Sequence, residues 1–191
     1  KWLAPRLPDF YARHPNIQLR FVSSVWNETV GNPEYDLDIR YGTGHWPGLS
    51  SDRLTWDTIS PLCSRTLLEN GHLTEYRDLA NHTLIHVLGY QEGWAKWLRA
   101  AGVAELAEGR GNLQVDNSLL AFRLAAHNCG VALARSSLGE WDIGSKQLLH
   151  PFDLAVSIDE AFYLVSESGV QPHPNAEAFR TWLLEIARPD V

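Results

Sequence analysis

Hydroxyl, amide and imidazole side chains stand at the ends of several short apolar runs in this chain. Gly42-Thr43, Cys63-Ser64, His86 to Gly89 and Asp116-Asn117-Ser118 each follow a stretch that reads as a strand. In α/β layers, ligands rest at the carboxyl ends of strands, where helix N-termini present N–H groups without intrahelical partners. The N–H groups near Ser64 and Ser118, with the hydroxyls of Thr43, Ser64 and Ser118, would suit a small anionic ligand. Taken singly, each Ser or Asn reads first as a plain N-cap.

Other constellations are weaker. No Gly-x-Ser-x-Gly elbow is present, and nothing local couples Cys63 to a base. Asp36 and Asp38 alternate along a strand and so point to opposite faces. His82 and His86 have the spacing that would place two zinc ligands on one helix face. Thr83-Leu84-Ile85 between them reads as strand, and no third ligand is spaced nearby. No catalytic residue, metal or cofactor is therefore expected. Trp94, Trp97, Leu98 and Ala101 recur at helical spacing and read as core. Trp46, on a Gly/Pro loop, either overhangs a ligand cleft or lies on the surface.

These groups must be positioned by the elements around them. The 191 residues suffice for one large domain or two small ones. The formal charge is −7, with six Lys/Arg against seven Asp/Glu over residues 1–62 and eight against twelve over 63–161. Neither part has the basic face that phosphate backbones require. Two cysteines make no disulfide scaffold. No signal peptide and no membrane-length apolar run is recognisable, which points to a cytoplasmic protein with no membrane partner. The absence of methionine suggests a piece of a longer chain.

Helix signals cover residues 5–14, 65–70, 75–80, 94–101, 119–128 and 175–187, with a short or broken helix at 25–34. Strand signals cover 17–22, 37–41, 54–62, 83–88, 112–115, 131–134 and 161–165, and a turn at 144–149 leads into another. Alternating strands and helices argue α/β with largely parallel sheets.

The run Asp36-Leu37-Asp38-Ile39-Arg40-Tyr41-Gly42, followed by Trp46-Pro47-Gly48, closely resembles a signature of LysR-type transcriptional regulators. It is nearest the branch of the glycine-cleavage and β-lactamase regulators. Trp2 to Phe10 with His14-Pro15-Asn16-Ile17, Pro61-Leu62-Cys63-Ser64, Trp94 to Gly102, Gly130 to Leu133, Phe162 to Val165 and Phe179 to Leu183 are similar to that family in the same order.

The resemblance implies a periplasmic-binding-protein type II-like α/β fold. Two Rossmann-like lobes, 1–62 plus 163–191 and 63–162, would be joined by two crossover strands. It further implies an effector site in the interlobe cleft at Gly42, Thr43, Cys63, Ser64, His86, Asn117, Ser118 and Phe162. The effector would be an amino acid, an aromatic acid or a peptidoglycan fragment. A homodimer or tetramer would form through Leu3, Leu7, Phe122, Leu124 and Ala125, with the chain's own core left open as the alternative place for this apolar surface. A winged helix-turn-helix and a first strand would lie upstream, so DNA would be bound only through that absent part. A periplasmic solute-binding protein is the alternative, and an enzyme is not expected.

Overall fold

The computed structural model describes residues 2–23, 35–70, 73–108, 113–138, 147–169 and 172–187. The chain divides into two units, residues 1–56 with 159–191 and residues 57–158. The boundaries read from the sequence lay at 62/63 and 162/163. The division falls earlier because β3 (Thr58–Ser64) pairs along its length with strands of the second unit.

In the first unit, β1 (Asp38–Gly42) and β2 (Leu49–Arg53) flank β9 (Ala161–Glu167), both antiparallel to it. Alternation along β9 serves both faces. Leu164 joins Phe10 of α1 (Leu7–Arg13) and Phe179, Trp182 and Leu183 of α5 (Pro174–Ala187). Ala161, Tyr163 and Val165 face Trp46 and Leu49. Buried Trp182 satisfies its indole N–H by donating to Asp9 Oδ2 at 2.8 Å, and its ring lies 5.1 Å from Phe10. Residues 17–23 form no ladder with any described strand, contrary to the expected strand at 17–22. Alternation alone supplies no partner for a strand's backbone groups. Phe21 and Val22 remain exposed. The helix expected at 25–34 lies outside the described residues.

In the second unit the strand order is β5 (Leu113–Val115), β4 (Leu84–Val87), β6 (Val131–Arg135), β3 and β7 (Leu148–Leu149), with β8 (Val156–Ser157) also on β3. β4 runs parallel to β5 and β6, whereas β3 runs antiparallel to β6, β7 and β8. Among the described strands the first sheet is thus antiparallel and the second mixed, rather than largely parallel. The chain enters this unit at the edge where β6 ends, so β3 has to run against it.

Every residue of β6 is buried, as a strand covered on both faces requires. On one face Ile59, Cys63, Leu84, Val131 and Leu133 meet Trp94, Trp97 and Leu98 of α3 (Trp94–Ala100). On the other, Leu62, Ile85, Val115, Ala132 and Ala134 meet Ala121, Phe122 and Ala125 of α4 (Ser118–Ala126). Both α3 indoles reach backbone carbonyls: Trp94 donates to Ile85 at 3.0 Å and Trp97 to Leu154 at 3.1 Å. Gly130 precedes β6 at φ +146, where an added Cβ would stand 2.2 Å from the Thr83 carbonyl oxygen. α2 (Arg65–Asn70) follows β3 directly. No helix among the described residues is long and apolar enough to cross a membrane.

Two stability measurements follow. Phe122 is 1% exposed and Leu119, three residues earlier, is 60% exposed. By denaturant unfolding, Phe122→Ala should therefore lose about 3–5 kcal/mol, and Leu119→Ala no more than about 0.5 kcal/mol. At Asp9, the hydrogen bond from Trp182 and the neighbouring Arg13 lower the carboxyl pKa. A lowered folded-state pKa adds stability above the unfolded value of about 4, and that stability disappears as pH falls through the folded value. Asp9→Asn should be less stable than the parent at pH 7, and the gap should narrow as pH falls through the lowered pKa of the folded carboxyl.

Candidate ligand-binding site

The parallel directions of β4, β5 and β6 bring three carboxyl ends to one edge of the second sheet. After β4 the chain turns through Gly89 to Tyr90. After β5 it reaches Asn117, whose side chain caps α4 by accepting the Leu120 N–H at 2.9 Å. Ser118, the first residue of α4, shares a 2.9 Å hydrogen bond between its hydroxyl and that of Tyr90. β6 ends on Arg135, which is 2% exposed. Its guanidinium carbon lies 3.3 Å above the Tyr90 ring, and Nη2 donates to the Glu92 carbonyl at 2.9 Å. Lys96 pairs with the Glu92 carboxylate.

This edge therefore combines two hydroxyls, each able to donate and accept, with a helix N-terminus and a stacked cation. It can orient an anionic or polar ligand.

The antiparallel run of β3 removes Cys63 and Ser64 from this edge. Ile59 pairs with Arg135, while Ser64 lies five residues further along β3. At about 3.3 Å per residue that is roughly 16 Å away. The expected grouping of Ser64 with Ser118 is thus corrected by strand direction, which spacing does not reveal. Ser64 instead accepts the Leu67 N–H at 3.0 Å, capping α2, and donates to the Asn128 side chain. Cys63 is fully buried, and desolvation pushes its thiol pKa up to about 11.

His86 lies within β4 and turns toward Trp94, with ring centroids 6.5 Å apart. Among the described residues no three His, Cys, Asp or Glu side chains gather as a metal would need. Gly42, Thr43 and Phe162 belong to the first unit. Gly42 ends β1, Thr43 is exposed on the loop beyond, and Phe162 packs edge-on against Tyr41 at 5.0 Å. Trp46 covers its own sheet, 5.7 Å from Tyr163. Gly44 is required beneath that contact, because at φ +87 an added Cβ would stand 2.7 Å from the Tyr163 ring.

Of the residues expected at a dimer surface, two are enclosed by their own unit and three are partly buried. Phe122 and Ala125 are buried within their own unit, and Leu124 packs against the same core. Leu3 and Leu7 are partly buried against the first unit's core. The apolar surface that α4 exposes is Leu119 and Leu120.

Tyr90 and Arg135 escaped the sequence reading. Arg135 has a visible signal, a charge closing the apolar run Val131 to Ala134. Tyr90 has none, because only the fold stacks it beneath that charge.

Known proteins resemble this chain along nearly its whole length. The LysR substrate binding domain model matches residues 1–188. The glycine cleavage system transcriptional activator of Escherichia coli K12 is 32% identical over 187 residues, which are 97% of this chain and 61% of the relative. The HTH-type transcriptional activator AmpR of Pseudomonas aeruginosa is 32% identical over 187 residues, 97% of this chain and 62% of the relative. The solved effector domain of that AmpR superposes with a TM-score of 0.85 at 32% identity, covering 97% of this chain and 89% of the other. The chain spans about three-fifths of the length of these curated relatives.

The two thiols supply a chemical check. Cys129 is exposed and Cys63 is buried with a raised pKa. A disulfide reagent at pH 8 should label one thiol per native chain quickly, and the second only on unfolding. Two fast thiols would show that the sheet face around Cys63 opens in the native protein.

Proposed function

The chain belongs to the LysR substrate-binding-domain family, and on that footing we propose that its small-molecule effector is held at the carboxyl-end edge of the second unit. The chain is the effector-binding domain of a LysR-type transcriptional regulator, and its relatives are transcriptional activators rather than enzymes. They also weigh against the transporter alternative.

The observation that carries the placement is the meeting of Tyr90, Ser118 and Arg135 at the ends of β4, β5 and β6. A ligand exchanging hydrogen bonds with the two hydroxyls would complete a polar cluster already held by Arg135 and by the cap of α4. Asn117 contributes as that cap. An amino acid, an aromatic acid and a peptidoglycan fragment all carry a carboxylate suited to this edge.

The regulatory step is a shift of population. An effector that favours one arrangement of the regulator biases it by its difference in affinity for the two arrangements, and by no more. In the full regulator this domain would work as a homodimer or tetramer in the cytoplasm. DNA would be contacted by a separate domain, consistent with the acidic balance here. The exposed Leu119 and Leu120 on α4 support a self-association surface.

Tyr90→Phe and Ser118→Ala each remove one hydroxyl from the edge. Calorimetric titration with amino acids, aromatic carboxylates and peptidoglycan fragments should find a ligand for the parent. Each variant should bind it about tenfold more weakly, the worth of one hydrogen bond of about 1.4 kcal/mol. Unchanged affinity in both variants would place the effector elsewhere.

A further inference from the structure

A second polar group stands at the same edge with its bonding incomplete. Asp57 immediately precedes β3, and Ser136 and Ser137 immediately follow Arg135, whose partner across the ladder is Ile59. Asp57 is 3% exposed. Its Oδ1 accepts from the Ser136 hydroxyl at 3.0 Å and from the Ser137 N–H at 2.7 Å, and Ser136 Oγ accepts the Thr58 N–H at 3.2 Å. These bonds fix the carboxylate rigidly. Its other oxygen, Oδ2, is buried and has no hydrogen-bond partner among the described residues, and the same holds for Ser137 Oγ. A buried carboxylate oxygen without a donor is unfavourable, so native structures give such atoms a partner. Two oxygens make no shell for a magnesium or calcium ion. They do suit an N–H donor carrying positive charge, for which a carboxylate is the stronger acceptor.

We propose that Asp57 Oδ2 and Ser137 Oγ form a subsite for a protonated amine of the effector. This rests on the reading of the edge as the effector site. It narrows the ligand class to molecules bearing both an ammonium and a carboxylate, of the amino-acid type. A plain aromatic acid is then excluded, because it would leave the Asp57 carboxylate as it stands. Neighbouring groups along the edge are complementary to such a zwitterion. Arg135 and the start of α4 favour the negative group, and Asp57 favours the positive one.

The test uses matched probes on this chain: glycine, the L-amino acids and D-alanine, each beside its N-acetyl derivative and its 2-hydroxy acid counterpart. Titration calorimetry should find a zwitterion that binds at least tenfold more tightly than either amine-blocked or amine-free partner. Asp57→Asn retains an oxygen for the Ser136 and Ser137 donors and replaces Oδ2 with an N–H₂ group. It should lose at least tenfold in affinity for that zwitterion and little for the 2-hydroxy acid. Should that variant fail to fold, Ser137→Ala removes the other orphan oxygen, with the same expected direction.

Equal binding of the zwitterion to parent and variants would mean that the orphan atoms hold a structural water, and would overturn the subsite. Binding by 2-hydroxy acids as tight as by amino acids would also overturn it. If that binding still weakens in Tyr90→Phe, the edge survives as the effector site. If Tyr90→Phe binds every probe as the parent does, the edge reading falls as well. Binding by no zwitterion overturns the proposal outright.

Discussion

β6 is the strand on which the second unit depends. It is covered by α3 on one face and α4 on the other and is paired along both edges, so its side chains must be apolar. Val131, Ala132, Leu133 and Ala134 meet that demand, the alanines turning to the α4 side and the larger residues to the α3 side. Its register is held from outside: Gly130 passes so close to the Thr83 carbonyl that no side chain fits between them. A shift of one residue would exchange the two faces and bury the wrong set. With the register held, Arg135 arrives at the carboxyl edge, and Tyr90 and Ser118 are brought to it by the neighbouring strands.

The polar groups of the two units are treated differently. In the first, Trp182 donates to Asp9 and Arg180 to Asp52 at 2.7 Å, so helices and sheet are tied by bonds complete within the protein. In the second, the edge residues are also strongly constrained, through the Arg135 stack and the Asn117 cap. Yet Asp57 Oδ2 and Ser137 Oγ beside them have no hydrogen-bond partner among the described residues. Rigid placement with an unmet bond is what a binding group needs, because a ligand then finds its partner already oriented.

Much of the fold was legible in the sequence because helical and strand periods leave strong traces. The α3 run of Trp94, Trp97 and Leu98, the β6 run and the α5 run of Phe179, Trp182 and Leu183 all form and are buried where their spacing predicts. The short strands β2 and β8 were missed, since Leu49–Arg53 and Val156–Ser157 carry almost no alternation of their own. They exist because β9 and β3 offer free edges for them. The candidate site was half legible. Ser118 and Asn117 could be read from the cap before α4, whereas Ser64, with the same local signal, caps α2 and bonds Asn128 away from that edge.

By itself the sequence determined the family, the α/β class and most element positions. These follow from local chemistry: side-chain period, capping residues and turn glycines act within a few residues of one another. Only the tertiary structure decided which strand ends share an edge, since strand direction depends on how the whole chain crosses the sheet. That is why Ser64 lies away from the carboxyl edge and Tyr90, Arg135 and Asp57 lie along it. The same reason governs α4, whose Phe122 and Ala125 turn to their own core while Leu119 and Leu120 face outward. An apolar run shows that a face will be buried, and only packing shows against what.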